Sequence, residues 1–130
     1  MTDTSTTELK ILIVDDSALL AKRIQKLFED MDGVHFMGYS MNVRDALFEI
    51  THKNPEVVMI GVQLPDQQGI DLLRYIRNNH PQIVTIMLTS MADQDYHDIC
   101  LKLGAHFYLD KTSGLENIQP FIQKIQKLVR

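Results

Sequence analysis

Residues 57–69 read Val57-Val58-Met59-Ile60-Gly61-Val62-Gln63-Leu64-Pro65-Asp66-Gln67-Gln68-Gly69. The first part is a short, continuous, largely β-branched apolar run, the pattern of a strand buried on both faces. Its continuation, from Leu64 to Gly69, has turn chemistry: proline fixes φ, and Asp and Gly accept tight conformations. At the junction stands Gly61, with no side chain. In an α/β protein, the loops at the carboxyl ends of the strands are where chemistry is usually placed.

Working outward from this stretch, a second apolar run, Leu9–Val14, stops at Asp15-Asp16-Ser17. Beyond it Leu20, Ile24, Leu27 and Phe28 recur at helical spacing, with Asp16 or Ser17 as the cap and Asp32-Gly33 as stop and turn. Val34–Ser40 reads as a second strand. Asn42 caps a helix carrying Val43, Ala46, Leu47 and Ile50, and Asn54-Pro55 ends it. Past Gly69, Leu72, Leu73 and Ile76 mark a third helix, ended by Asn78-Asn79-His80-Pro81. Ile83–Leu88 is a strand closing with Thr89-Ser90. Tyr96, Ile99, Cys100 and Leu103 form the apolar face of a fourth helix, and His106–Leu109 a short fifth strand. The last helix carries Ile118, Phe121, Ile122, Ile125, Leu128 and Val129. Pro120 lies in its first turn, and Leu115–Ile118 forms a separate helical turn.

Five strands alternating with five helices predict an α/β fold, a doubly wound parallel sheet covered on both faces by right-handed crossovers. The 130 residues, 45% hydrophobic and 23% charged, fit one globular domain, residues 9–130, behind an N-terminal tail, residues 1–8. A net charge of −4 argues against a strongly electrostatic nucleic-acid surface. The single cysteine, Cys100, reads as a small core residue and fits a reducing cytoplasm. No apolar run approaches the roughly 20 residues of a membrane span, and the polar N-terminus lacks signal-peptide character. The five histidines, His35, His52, His80, His97 and His106, have no metal-ligand spacing and read as surface or satisfied residues; the seven methionines read as core filling.

The strand ends place Asp15, Asp16, Gly61, Thr89, Ser90 and Lys111 along one edge. Adjacent carboxylates need a cation or a basic side chain. An oxygen-rich set without His or Cys suits a hard divalent ion such as Mg2+. A hydroxyl and an ammonium facing the same cavity suit phosphoryl oxygens. A carboxylate nucleophile beside that metal is the missing part.

Four motifs, Ile13-Val14-Asp15-Asp16-Ser17, Gln63–Gly69, Leu88-Thr89-Ser90 and Tyr108-Leu109-Asp110-Lys111, each fall at a strand end in this order. With them the chain resembles the response-regulator receiver domains of two-component phosphorelay signalling, from about Leu9 to Arg130. The resemblance implies a flavodoxin-like sheet of strand order 2-1-3-4-5 and a bacterial, cytoplasmic, non-enzymatic module. It also implies that position 61, fixed by Pro65 four residues on and Gly69 eight residues on, is where the family has its phosphate-accepting aspartate. By the same resemblance Asp15, Asp16 and the Gln63 backbone carbonyl bind metal. Thr89, Ser90, Tyr108 and Lys111 form the phosphate pocket and switch. Thr112 stands where the family usually has proline after the lysine.

With Gly61, Mg2+ binding is expected to be weakened, and the Lys111 ammonium to turn to Asp15 or Asp16. Three readings of Gly61 stand: a natural loss giving a pseudo-receiver, an engineered phosphoacceptor knockout of an ordinary response regulator, or a local backbone requirement such as an αL conformation. The partners implied are proteins: a histidine kinase, an output domain or another signalling protein. A homodimer through the helix 4–strand 5–helix 5 face is a further possibility, with neither nucleic acid nor membrane bound directly. A scaffold or dimerisation module indifferent to the old site is an alternative. So is a small nucleotide- or flavin-binding domain, against which the absence of glycine in Asp15-Asp16-Ser17-Ala18 counts.

Overall fold

Two apolar runs form the centre of the sheet, because only strands hydrogen-bonded on both sides can bury such runs completely. The computed structural model describes residues 8–89 and 94–129. They are β1 (Leu9–Val14), α1 (Ala18–Glu29), β2 (Val34–Ser40), α2 (Val43–Lys53), β3 (Val57–Gly61), α3 (Gly69–Asn79), β4 (Val84–Thr89), α4 (Gln94–Lys102), β5 (Phe107–Asp110), a 3-10 turn (Gly114–Asn117) and α5 (Ile118–Val129). All neighbouring strands are parallel, in the expected order β2-β1-β3-β4-β5. Residues 1–7 of the expected N-terminal tail, and Ser90, lie outside the described residues.

Period-2 alternation divides β3 between two cores. Val57 and Met59 join a cluster with Ile24 and Phe28 of α1 and Ile122 and Ile125 of α5. Val58 and Ile60 face Ala46 and Ile50 of α2, Leu72 and Ile76 of α3, and Cys100 of α4. The sheet is thereby covered on both faces. Its register also lines up the carboxyl edge. Val14 pairs with Ile60, Gly61 with Leu88, and Thr89 with Asp110, so Asp15, Gly61, Thr89 and Lys111 emerge side by side.

Helix starts follow the expected capping chemistry. The Ser17 hydroxyl accepts from the Leu20 N–H at 3.1 Å, and Asn42 Oδ1 accepts from the Asp45 N–H at 2.8 Å. Asn54, in the left-handed region at φ 50°, ends α2 before Pro55.

Several expectations need correction. Helix α1 ends at Glu29, before Asp32-Gly33, which forms only the turn into β2. Ile99 and Leu128 follow the helical period but are 48% and 71% exposed, because α4 and α5 turn only part of their apolar stripes to the sheet. Met41 and Phe48 are likewise exposed, so the methionines are not all core filling. Both late strands start one residue later than expected, β4 at Val84 and β5 at Phe107.

His106 explains the start of β5. Its N–H donates to the Thr85 carbonyl at 3.1 Å, while its Nδ1 accepts from the Thr85 backbone N–H at 3.1 Å. The imidazole thus supplies a rung of the ladder that a backbone carbonyl would otherwise supply. A backbone N–H can only donate, so this Nδ1 must carry no proton. Although His106 is exposed overall, desolvation of its ring where it meets Thr85, and next the Arg77 charge, push it below its ordinary value of 6.5. Acidification therefore protonates the unfolded chain first. The contribution of His106 to stability is complete above about pH 6.5 and is lost as pH falls through its lowered folded value. Thermal unfolding at a series of pH values checks this: between pH 7.5 and 5.5 His106→Gln, which keeps an acceptor without the titration, should lose less Tm than the native chain.

Candidate functional site

Asp15 is the first residue beyond β1 and is 1% exposed. Its N–H donates to the Ser40 carbonyl at 3.0 Å, continuing the pairing with β2. Its Oδ1 accepts from the Ser17 N–H at 2.9 Å, and its Oδ2 from Lys111 Nζ at 3.2 Å. Lys111 is held from the other side of the sheet, its N–H donating to the Thr89 carbonyl at 2.7 Å. The expected turn of this ammonium to an acid at the end of β1 is therefore realised, and Asp15 is the acid chosen. Asp16 is exposed to solvent.

Gly61 lies beneath this ion pair. A Cβ built on it would meet Asp15 Oδ2 at 2.6 Å and Asp15 Cγ at 3.2 Å. Its φ is outside the left-handed region, so the backbone does not itself demand glycine. The αL reading of Gly61 is thus overturned. The obstacle to a side chain is the Asp15 carboxylate, which leans over the bare backbone.

The loop after β3 is pinned in two places. The Gly69 N–H donates to the Val62 carbonyl at 2.8 Å, and a Cβ at 69 would overlap the Gly61 carbonyl oxygen, so the start of α3 must be glycine. Asp66 reaches α2, its Oδ1 accepting from the Val43 N–H at 2.9 Å and its Oδ2 from the Arg44 N–H at 3.0 Å. The Val43 bond in particular holds this carboxyl below its ordinary value of 3.8. In the sequence Asp66 shows only turn chemistry. No local signal announces a cap supplied from 23 residues away.

Thr89 is buried at the end of β4. Gln63 is exposed, with its backbone in an isolated bridge to Gln68. The Asp110 carboxylate accepts from the Thr112 hydroxyl at 2.6 Å and the Thr112 N–H at 2.8 Å, contacts that hold it at about 2 and shape the turn after Lys111. Tyr108 is half-buried on β5 and its ring lies against that of His97 of α4, with centroids 3.7 Å apart and planes tilted by 30°. His97 departs from the expected surface or satisfied histidine: it is 9% exposed, and its buried Nε2 has no partner among the described residues. Among those residues no three His, Cys, Asp or Glu side chains gather as a metal-ligand group, and no helix is long and apolar enough to cross a membrane.

A doubly wound parallel sheet in the order 2-1-3-4-5, with an acid and a lysine joined over the end of its central strand, defines a flavodoxin-like α/β domain. The family model "Response regulator receiver domain" matches residues 11–123, and the chain belongs to that family. Among curated proteins it is 32% identical over 112 residues to a protein-glutamate methylesterase/protein-glutamine glutaminase of Treponema denticola, covering 85% of this chain and 30% of that one. It is 26% identical over 117 residues to response regulator GacA of Pseudomonas protegens, covering 90% of this chain and 55% of that one. The chain thus spans about a third to just over half the length of these relatives. Among solved structures, the receiver domain of Francisella response regulator 1452 superposes with a TM-score of 0.84 at 25% identity, covering 95% of this chain and 100% of that one.

The Asp15–Lys111 pair generates a stability prediction. Asp15 is buried while the Lys111 side chain is 27% exposed, so removing the lysine strands a desolvated carboxylate. Lys111→Met should cost about 2–3 kcal/mol, somewhat below a fully buried pair. The double variant Asp15→Asn/Lys111→Met should recover part of that loss. Urea unfolding of the four members of the cycle measures the coupling.

Proposed function

We propose that this receiver domain signals by binding protein partners, without phosphorylation at the position its family uses. The observation that carries the reading is Gly61. It lies four residues before Pro65 and eight before Gly69, the family's spacing for the acceptor aspartate, and it offers no carboxylate. The Asp15 carboxylate extends over it instead, held by Lys111. Without a nucleophile a phosphodonor has nothing to modify there, and the equilibrium between signalling states is biased by partner contacts alone.

In this reading Asp15, Asp16 and the Gln63 carbonyl are the remnant of a metal site, and Thr89, Ser90, Tyr108 and Lys111 that of the phosphate pocket and switch. Both Asp15 oxygens already accept hydrogen bonds, one of them from an ammonium, and this supports weak Mg2+ binding. The domain comprises residues 9–130 behind a tail of residues 1–8. It works in a bacterial cytoplasm, with a histidine kinase, an output domain or another signalling protein as partner, and α4, β5 and α5 as its partner or homodimer face.

Incubation with acetyl phosphate and Mg2+, followed by intact mass, tests the central claim. The expected spectrum is unmodified protein. A phosphoryl adduct on this chain that hydroxylamine removes, the mark of an acyl phosphate, would overturn it.

Gly61→Asp tests the remnant site. The new Cβ must push Asp15 Oδ2 aside, and two carboxylates then share one edge. In metal-free buffer Tm should fall by several degrees. Millimolar Mg2+ should restore it, since a ligand at a hundred times its Kd stabilises by about 2.7 kcal/mol, while the native chain responds far less. An equal Mg2+ response in both proteins would contradict the weakened metal site.

A further inference from the structure

His97 occupies a position on α4 that an apolar side chain would fill without cost. It lies three residues before the buried Cys100, on the stripe that faces the sheet together with the partly buried Tyr96 and Leu103. The neighbouring Ile99 and Leu101 point outward. An imidazole here leaves Nε2 buried without a hydrogen-bond partner among the described residues, an arrangement that native structures rarely keep without compensation.

The compensation visible is Tyr108. Its ring lies 3.7 Å from the His97 ring, centroid to centroid, at an interplanar angle of 30°, a close, nearly stacked contact. Tyr108 also packs against the core on the α2, α3 and α4 side of the sheet, together with Tyr96 and Leu103. It is half-buried, on a four-residue strand at the edge of the sheet, paired with Met87 on one side only. Turning His97 outward would give Nε2 to water but strip Tyr108 of its cover. Turning it inward keeps the stack and strands the nitrogen. The inward arrangement is the one the structure holds, at the cost of the buried nitrogen.

We propose that His97 is the positioning residue for Tyr108. It clamps the tyrosine against α4 in a single rotamer, so the shape of the α4–β5 face is set from α4 and not from the Gly61 edge. This rests on the reading that position 61 takes no phosphate, which leaves the clamp as the element that a partner docking on α4 would bias. Displacing His97 releases Tyr108, and a partner that holds Tyr108 in its stacked rotamer holds His97 inward.

Three-bond N–Cγ and C′–Cγ couplings of Tyr108 in the 13C,15N-labelled chain report its χ1 populations directly, independent of ring-current effects from His97. The native chain should show one rotamer at about 90% or more, as expected of a fixed side chain. His97→Ala should show averaging, with the major rotamer below about 70%. His97→Phe, which keeps a ring and removes the stranded nitrogen, should restore a single rotamer and raise Tm. Should His97→Ala fail to give a dispersed spectrum, His97→Leu, which fills the space without a ring face, is expected to average in the same way. A single native rotamer in the folded Ala or Leu variant, averaging in the native chain, or averaging in His97→Phe would each overturn the clamp. The couplings are measured on protein never exposed to a phosphodonor, so their outcome is independent of the phosphorylation test.

Discussion

The ion pair between Asp15 and Lys111 governs the carboxyl edge of this domain. A carboxylate that is 1% exposed has lost nearly all its hydration and must be compensated by protein groups. The Ser17 N–H and the Lys111 ammonium provide that compensation. Because the ammonium comes from beyond β5 and the carboxylate from beyond β1, the pair spans the central strands and ties the two halves of the sheet together over Gly61. A side chain at 61 would enter the volume now held by the carboxylate. The missing side chain at 61 and the pairing above it are therefore one arrangement.

The same edge is shaped by backbone constraints that carry no chemistry of their own. Gly69 must approach the Gly61 carbonyl too closely for any Cβ, so the loop after β3 folds tightly against the strand that precedes it. Asp66 then ties that loop to the first turn of α2, where two backbone N–H groups would otherwise lack partners. Position 61 is thus framed by β1, the α3 start and the α2 start together.

On the other side of the sheet β5 depends on two histidines in different ways. His106 extends the β4 ladder through its ring nitrogen, while His97 covers Tyr108 from α4. Neither has a signature in the sequence. Five scattered histidines without metal spacing gave no reason to single out either, because both roles arise from groups brought together across β4, α4 and β5. The exposed Ile99 and Leu128 show the reverse: residues with the right period that tertiary packing leaves outside the core. A period identifies a face, but the area of sheet available decides how much of that face is covered.

The sequence by itself determined the alternation of strands and helices, the caps at Asn42 and Asn54, a cap at Asp16 or Ser17, and the set of residues at the strand ends. These depend on local pattern and on backbone chemistry within a few residues. It also showed that position 61 has no side chain. Only the tertiary structure decided that Asp15, and not the exposed Asp16, takes the lysine, because burial depends on where β1 ends relative to β2 and β3. It likewise decided that Asp66 caps a distant helix and that His97 lies against Tyr108 with a buried nitrogen unpartnered among the described residues. Such contacts join residues far apart in the chain, and desolvation and close packing come into force only once the sheet register has brought them within reach.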